Sequence, residues 1–295
     1  MIVDPDIAAQ IGALAGRRLA AAPAHSVHGG CIAESYRWES DRGSLFVKLA
    51  PATQLPMLEA EAAGLQELAR AEAIRVPGVL AVGATATRSF LALEWIDLRA
   101  GATDAETKLG ERLAWQHRLS APGFGWNRDN TIGSTPQLND WSRDWVAFFR
   151  ERRLRYQLDL AAANGHRGSL QERGAELLQL MGAFFTSHRP VPSLLHGDLW
   201  GGNWSADSAG EPVVFDPAVY YGDREADLAM TRLFGGFGPA FYTAYQSEWP
   251  LDQAAGTRRS LYNLYHVLNH LNLFGGGYAQ QAGAMINRLL AELGH

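Results

Sequence analysis

His196-Gly197-Asp198-Leu199-Trp200-Gly201-Gly202-Asn203, with Asp216 beyond it, is the stretch that decides how this chain reads. The apolar pair Leu194-Leu195 leads into it, so a strand end can present Asp198 in a turn. Val213-Val214-Phe215 then runs into Asp216, a second carboxylate at the end of a short apolar run. An aspartate in a turn is, taken singly, usually a turn former or a helix cap. Carboxylate, amide and carboxylate together, at these intervals and on these two strand ends, form a far more specific pattern.

Phosphoryl transfer needs a phosphate cradle, hard oxygen ligands for magnesium and a base facing the hydroxyl, because its catalysis is mostly positioning and charge stabilisation. Asn203 stands five residues after Asp198, the offset between aspartate and asparagine in the catalytic loop His-Arg-Asp-x-x-x-x-Asn. Asp198 is thus the candidate base, and Asn203 and Asp216 are the candidate magnesium ligands. His196 reads as a brace of the loop on the substrate side rather than a proton carrier. Trp200, inside the same turn, reads as an aromatic that stacks on or covers a sugar.

Around this stretch the chain changes character once. Asp6 to Ala21 reads as a helix with Ile7, Ile11, Leu14 and Leu19 on one stripe. Ser35 to Glu39 and Leu45 to Leu49 read as strands joined at Asp41-Arg42-Gly43. A helix from Thr53 to Glu72 follows, and then strands at Val79 to Val82 and Ser89 to Trp95. After Asp97 helical patterns dominate: Asp104 to Leu119, Trp141 to Ala163, Leu170 to Ser187, Arg224 to Phe234, Gly238 to Glu248, Asp252 to Phe274 and Tyr278 to Leu293. The apolar runs Ser193 to His196 and Pro212 to Phe215 interrupt them as small strands. Strands first and helices later mean α+β rather than alternating α/β. The expected domains are residues 1–97, a small antiparallel-sheet lobe, and 98–295, a large helical lobe, with a cleft and a hinge at Glu94-Trp95-Ile96-Asp97.

Lys48 sits in the strand Phe46-Val47-Lys48-Leu49, among apolar neighbours that leave its ammonium needing a polar destination. A kinase lobe directs such a lysine to nucleotide phosphates and to a helix glutamate. Glu61 is the choice for that partner, with Glu59 the rival. The turn His28-Gly29-Gly30-Cys31 lies where a phosphate-covering loop belongs, although it lacks a full G-x-G-x-x-G. Backbone groups at Glu94 and Ile96 are placed to meet adenine edges. The stripes Trp141, Trp145, Phe148, Phe149 and Leu261, Leu264, Leu268, Leu271 read as core.

Bulk properties exclude several classes. Of 295 residues, 47% are hydrophobic and 19% charged, so the chain has enough apolar mass to fold. The net charge of −5 and the lack of a basic patch argue against nucleic acid. Arg150, Arg152, Arg153 and Arg155 share a helical pattern with Glu151 and Asp159 and read as a solvated face. The single cysteine, Cys31, allows no internal disulfide and suits a reducing cytosol. The acidic start lacks a basic, apolar leader, and no apolar run approaches the ~18 residues of a membrane span. A cytoplasmic protein, monomer or homodimer, is expected.

Over nearly its whole length the chain resembles the fructosamine/ketosamine-3-kinases, relatives of aminoglycoside phosphotransferases within the bilobal protein-kinase-like fold. The resemblance is carried by Gly29-Gly30-Cys31-Ile32, Phe46-Val47-Lys48, Glu59-Ala60-Glu61 and Leu138-Asn139-Asp140-Trp141. It continues through Asp144-Trp145, Phe148-Phe149, Arg153-Leu154 and Leu158-Asp159-Leu160. It is most specific at His196 to Asn203, Asp216-Pro217-Ala218, Tyr221-Gly222 and Leu233-Phe234-Gly235-Gly236-Phe237. It implies ATP and Mg2+ as cofactors, and Asp198 as base toward the sugar 3-hydroxyl of a ketosamine, free or protein-bound. It also implies Asn203 and Asp216 on magnesium, Lys48 and Glu61 on the nucleotide, and Trp200 at the substrate. The substrate's attached amine calls for an open, acidic cleft mouth, for which Asp223, Glu225 and Asp227 are candidates. Capping of the following helix competes as the reading of Asp223 and Asp227. Gly197 stands where protein kinases carry an arginine, Asp216-Pro217-Ala218 replaces Asp-Phe-Gly, and no Ala-Pro-Glu follows, so activation-loop switching is not expected. The alternatives are an aminoglycoside- or choline-type phosphotransferase on the same fold and a non-catalytic nucleotide-binding module, against which the intact Lys48, Asp198, Asn203 and Asp216 argue.

Overall fold

Alternation of large side chains builds the first part of the chain. The computed structural model describes residues 5–20, 25–27, 33–99 and 103–295. Helix α1 (Pro5–Ala15) is followed by β1 (His25–Val27), β2 (Glu34–Trp38), β3 (Leu45–Pro51), α2 (Leu55–Ala69), β4 (Val79–Ala84) and β5 (Arg88–Glu94). The five strands form one antiparallel sheet in the order β1-β2-β3-β5-β4. Because strand side chains alternate with period two, Val47, Phe90 and Ala92 pack with Ile7 and Ile11 of α1. Leu91 and Leu93 pack instead with Leu58, Ala62 and Leu65 of α2. Lys48 pairs directly with Leu91, which brings it out on the α2 face.

The later elements are α3 (Thr103–His117), β6 (Asn130–Ile132), β7 (Thr135–Gln137), α4 (Trp145–Phe148), a π-helical turn at Phe149–Arg155, α5 (Tyr156–Ala163) and α6 (Ser169–Leu180). After them come β8 (Ser193–Leu195), β9 (Trp204–Ala206), β10 (Pro212–Val214), β11 (Tyr220–Gly222), α7 (Glu225–Leu233), α8 (Pro239–Glu248), α9 (Ala255–Phe274) and α10 (Tyr278–Glu292). The chain groups into two compact units: Met1–Ala105 with Trp204–Pro217, and Glu106–Asn203 with Ala218–His295. In the first unit β9 and β10 form a hairpin, and Arg75 bridges to Val213. In the second, β8 pairs with β11, and α9 packs against α5, α7 and α10. An unbroken buried run from Leu261 to Asn269 makes α9 the central helix of that unit. Among the described residues no helix is long and apolar enough to cross a membrane.

Several expectations are corrected here. The helix expected from Trp141 begins only at Trp145, where the Asp144 carboxylate caps it by accepting from the Ala147 N–H at 3.1 Å. Trp141 is therefore exposed, while Trp145, Phe148 and Phe149 are buried. The π-helical turn changes the register of the arginine face. Arg153 is fully buried, donating to the Leu138 carbonyl and to Asn139 Oδ1, each at 2.6 Å, with its guanidinium over the Phe148 and Tyr220 rings. Burial pushes the Tyr220 phenol up to about 12 despite that cation. The β6–β7 hairpin lies between the helices expected at Asp104 to Leu119 and from Trp141, where no element is expected, and each small strand expected near the signature pairs with another three-residue strand.

Burial in this helical unit has a consequence for pH. His266 is held well below the usual histidine range, at about 3, chiefly because its site excludes water, and burial likewise lowers His117. Below the unfolded value the unfolded chain binds protons that these two native residues refuse, so stability falls with falling pH. His188 is raised, with burial outweighed by Asp223 and Glu225, and it opposes this trend. Replacing His266→Leu is expected to flatten the profile. Between pH 6.5 and 5 the wild type loses about 1.6 kcal/mol more than the variant in urea unfolding, the slope approaching about 1.4 kcal/mol per pH unit below the unfolded value.

Candidate active site

In the first unit, the sheet and α2 determine which glutamate meets Lys48. Glu61 falls on the stripe of Leu58 and Leu65, three residues after one and four before the other, so it faces the sheet. Glu59 falls on the exposed side of α2. Lys48 Nζ donates to Glu61 Oε1 at 2.7 Å and to Asp216 Oδ1 at 2.6 Å. Burial alone favours a neutral amine, but the Glu61 and Asp216 charges outweigh it and raise the lysine above its ordinary value. Burial also pushes the Glu61 carboxyl up, with Lys48 opposing. Asp216 follows the β9–β10 hairpin and holds a left-handed backbone at φ +56°, a strained position for a residue with a side chain.

In the second unit, the turn after β8 carries the other candidates. Asn203 Nδ2 donates to the Asp198 carbonyl at 2.9 Å and to Asp198 Oδ2 at 3.1 Å, closing the turn on itself. The Asp198 N–H donates to His196 Nδ1 at 3.3 Å, a contact inside the same turn. Trp200 is 40% exposed.

The backbone of this turn is held from below by a residue whose role the sequence did not reveal. Asp227, on α7, accepts from the His196 N–H at 2.7 Å and from the Gly197 N–H at 2.8 Å. His117 Nε2 lies 3.2 Å from Asp227 Oδ2. A carboxylate only accepts, so that nitrogen carries the proton, and Nδ1 accepts from the Tyr245 hydroxyl at 2.9 Å. Tyr245 in turn accepts from Arg224 Nη1 at 3.0 Å. Burial raises the Asp227 carboxyl, but the His117 hydrogen bond, the nearby histidines and the Gly197 N–H outweigh it and hold it below the usual carboxylate range.

Asp223, Glu225 and Asp227 thus do not form an acidic mouth: they are 1%, 3% and 1% exposed. Asp223 Oδ1 caps the start of α7 through the Glu225 N–H, and its Oδ2 accepts from Tyr262 and His188. Glu225 forms a two-point pair with Arg258, at 2.8 and 2.7 Å. The helix-cap reading holds for Asp223; Asp227 is a clamp on the turn. No short-range pattern marks these acids as internal, because each partner lies far away in sequence.

Glu94 is engaged with the sheet. Its N–H donates to the Gly78 carbonyl at 2.8 Å, and its carboxylate takes Arg75 at 2.6 Å, which also binds Asp207 at 2.5 Å. Ile96 lies beyond the last paired residue of β5. Gly29, Gly30 and Cys31 fall outside the described residues.

Gly197 shows how tightly the turn is fixed. Its φ is +82°, and a Cβ there lies 2.0 Å from the Ala218 carbonyl oxygen, a backbone atom with nowhere to go. Gly210 has a similar φ of +79° but nothing within 4 Å of its Cβ position. Gly210→Ala is expected to cost only the left-handed strain, about 1 kcal/mol. Gly197→Ala is expected to cost about 3 kcal/mol or more in denaturant unfolding, since overpacking adds to the same strain. Equal costs contradict the close approach.

A fructosamine kinase family model matches residues 3–292. A "probable ketoamine kinase" of Synechocystis is 45% identical over 96% of this chain and 96% of its own length. The chloroplastic protein-ribulosamine 3-kinase of Arabidopsis thaliana is 43% identical over 91% of this chain and 82% of that protein. The crystal structure of a fructosamine-3-kinase candidate from Thermobifida fusca YX-ER1 superposes with a TM-score of 0.88 at 32% identity, covering 98% of this chain and 100% of that one. The fold is the protein-kinase-like α+β fold expected from the sequence, and the chain belongs to the fructosamine kinase family.

Proposed function

We propose that this kinase transfers the γ-phosphoryl group of ATP to the 3-hydroxyl of the sugar moiety of ketosamines, fructosamine or ribulosamine adducts that are free or attached to protein lysines. The observation that carries this reading is the near full-length match to the fructosamine kinase family, together with relatives named for ketoamine and ribulosamine substrates at 41–45% identity. The two side-chain constellations support it chemically. Asp198, oriented by Asn203, takes the proton from the attacking hydroxyl, and the freed alkoxide oxygen attacks the γ-phosphorus as the bond to ADP breaks. Lys48, fixed by Glu61, positions the nucleotide phosphates.

The reaction as proposed depends on magnesium. The Asp216 carboxylate and the Asn203 amide are hard oxygen donors of the type magnesium takes, and the ion, when bound, neutralises charge on the phosphates. The turn at Gly29, Gly30 and Cys31 is the proposed phosphate cover, and backbone groups at Glu94 and Ile96 the adenine contacts. Trp200 and His196 line the sugar side. A cytosolic location and action as a monomer or homodimer complete the proposal.

Asp198→Ala is expected to lower turnover at least about a hundredfold, the usual contribution of a positioned base. The ATP dissociation constant is expected to change little, because Lys48, Glu61 and Asp216 stay in place. Turnover near that of the wild type removes Asp198 as the base. A phosphate-transfer screen across fructosyl-lysine, ribulosyl-lysine, aminoglycosides and choline tests the substrate class. Transfer only to an aminoglycoside or choline rejects the ketosamine reading.

A further inference from the structure

Beside the catalytic turn the second unit exposes an aromatic surface that the phosphoryl-transfer residues do not use. Gly201 and Gly236 meet backbone to backbone. A Cβ on Gly201 comes 3.0 Å from Gly236 Cα, and one on Gly236 comes 2.7 Å from Gly201 Cα. The loop after α7 therefore sits directly on the turn that carries Asp198. Trp200 folds over Gly202, whose Cβ position is 2.3 Å from the indole ring. Phe234, two residues before Gly236, is 41% exposed, and its ring centroid lies 4.7 Å from that of His270. His270 in turn lies 5.5 Å from Phe274 and 5.2 Å from Tyr278.

This cluster is built rather than incidental. His270 Nδ1 donates to the His266 carbonyl at 2.8 Å, which fixes the ring at the centre of the group. Gly275 and Gly276, at φ +65° and +64°, end α9 immediately after Phe274 and leave that ring 60% exposed. Gly235 and Gly236, at φ +77° and +98°, do the same after Phe234. The nearest cation in sequence, Arg232, is turned onto the Tyr242 ring at 3.5 Å. Contiguous large aromatics left in water mark a binding surface, and this one is continuous with the turn holding the candidate base.

We propose that Phe234, His270, Phe274 and Tyr278 form the aglycone subsite, which takes the amine and carbon chain attached to the sugar. The inference rests on the ketosamine reading above. The linking nitrogen of a ketosamine is a secondary amine that carries a proton at neutral pH, and a cation over aromatic faces is attracted by their quadrupoles. The carbon stem beyond it, as in a glycated lysine, buries apolar area against the same rings. The sugar then lies at Asp198, and the amine side runs outward across Gly201 toward Phe234 and Phe274.

The test compares two adducts, fructosyl-methylamine and fructosyl-hexylamine, in the wild type, in Phe234→Ala, in Phe274→Ala and in the double variant. Both residues are well exposed, and melting curves report whether the variants stay folded. The double variant is expected to raise KM for the hexylamine adduct about tenfold, while KM for the methylamine adduct rises less than about threefold and KM for ATP and kcat stay near wild type. Equal KM increases for both adducts overturn the subsite, because the rings then serve only to support the turn. Unchanged KM for both overturns it as well. If the wild type phosphorylates neither these adducts nor their ribulosyl counterparts, the ketosamine reading itself fails and the subsite fails with it.

Discussion

The carboxylate of Asp227 is the constraint on which the backbone of the turn from His196 to Asn203 depends. A buried charge without partners is severely unfavourable, yet this one collects two backbone N–H groups of the turn and the imidazole of His117. Charge-assisted hydrogen bonds of this kind contribute about 1.5–3 kcal/mol each. They act on the backbone of His196 and Gly197 and so fix the main chain leading into Asp198, whose carboxylate then accepts from Asn203. The glycine is required by the same geometry: the Ala218 carbonyl occupies the space where any Cβ would sit. Clamp, glycine and Ala218 specify one conformation of the turn.

The first unit solves a related problem in a different way. Strand alternation places Lys48 on the α2 face, and helical periodicity places Glu61 opposite it. Neither residue is stable there alone. Together with Asp216 they form a cation held between two carboxylates, with a net negative charge and hydrogen bonds at 2.6 and 2.7 Å. The strained backbone of Asp216 persists because this partner and the flanking hairpin hold it, a common cost at functional positions.

Much of this was legible in the sequence, for reasons that differ between residues. The sheet was readable because β3 and β5 are short apolar runs, buried on both faces, with turn residues near them, and α2 because its apolar stripe is regular. The choice of Glu61 over Glu59 agrees with that stripe, which turns Glu61 toward the sheet and leaves Glu59 exposed. The turn from His196 to Asn203 was readable because its partners are local. What escaped depends on distant contacts. Arg153 looked like a member of a solvated face, but a π-helical turn rotates it into a cage of Phe148 and Tyr220 rings. The strands β6, β7, β9 and β11 have three residues each, too few for alternation to register. Asp223, Glu225 and Asp227 looked like surface acids because His188, Arg258 and His117, which neutralise or hydrogen-bond them, come from other elements.

The burial of these acids bears on how a charged acceptor is recognised. Carboxylates spaced along the start of α7 are the obvious means of attracting an ammonium, yet each is already committed inside the unit: Asp223 to Tyr262 and His188, Glu225 to Arg258, Asp227 to the turn. Drawing any of them toward a ligand breaks a buried pair, and removing one partner of such a pair typically costs about 3–5 kcal/mol. The far end of the same helix leads into Phe234, whose exposed ring is free of that penalty. An aromatic surface attracts a cation without first surrendering an internal ion pair, and it tolerates different amines because a ring face has no fixed hydrogen-bond pattern to satisfy. On the proposed reading, helix α7 divides two duties along its length: Asp227 near its start holds the turn from His196 to Asn203, and the aromatic area beyond its end is left for recognition.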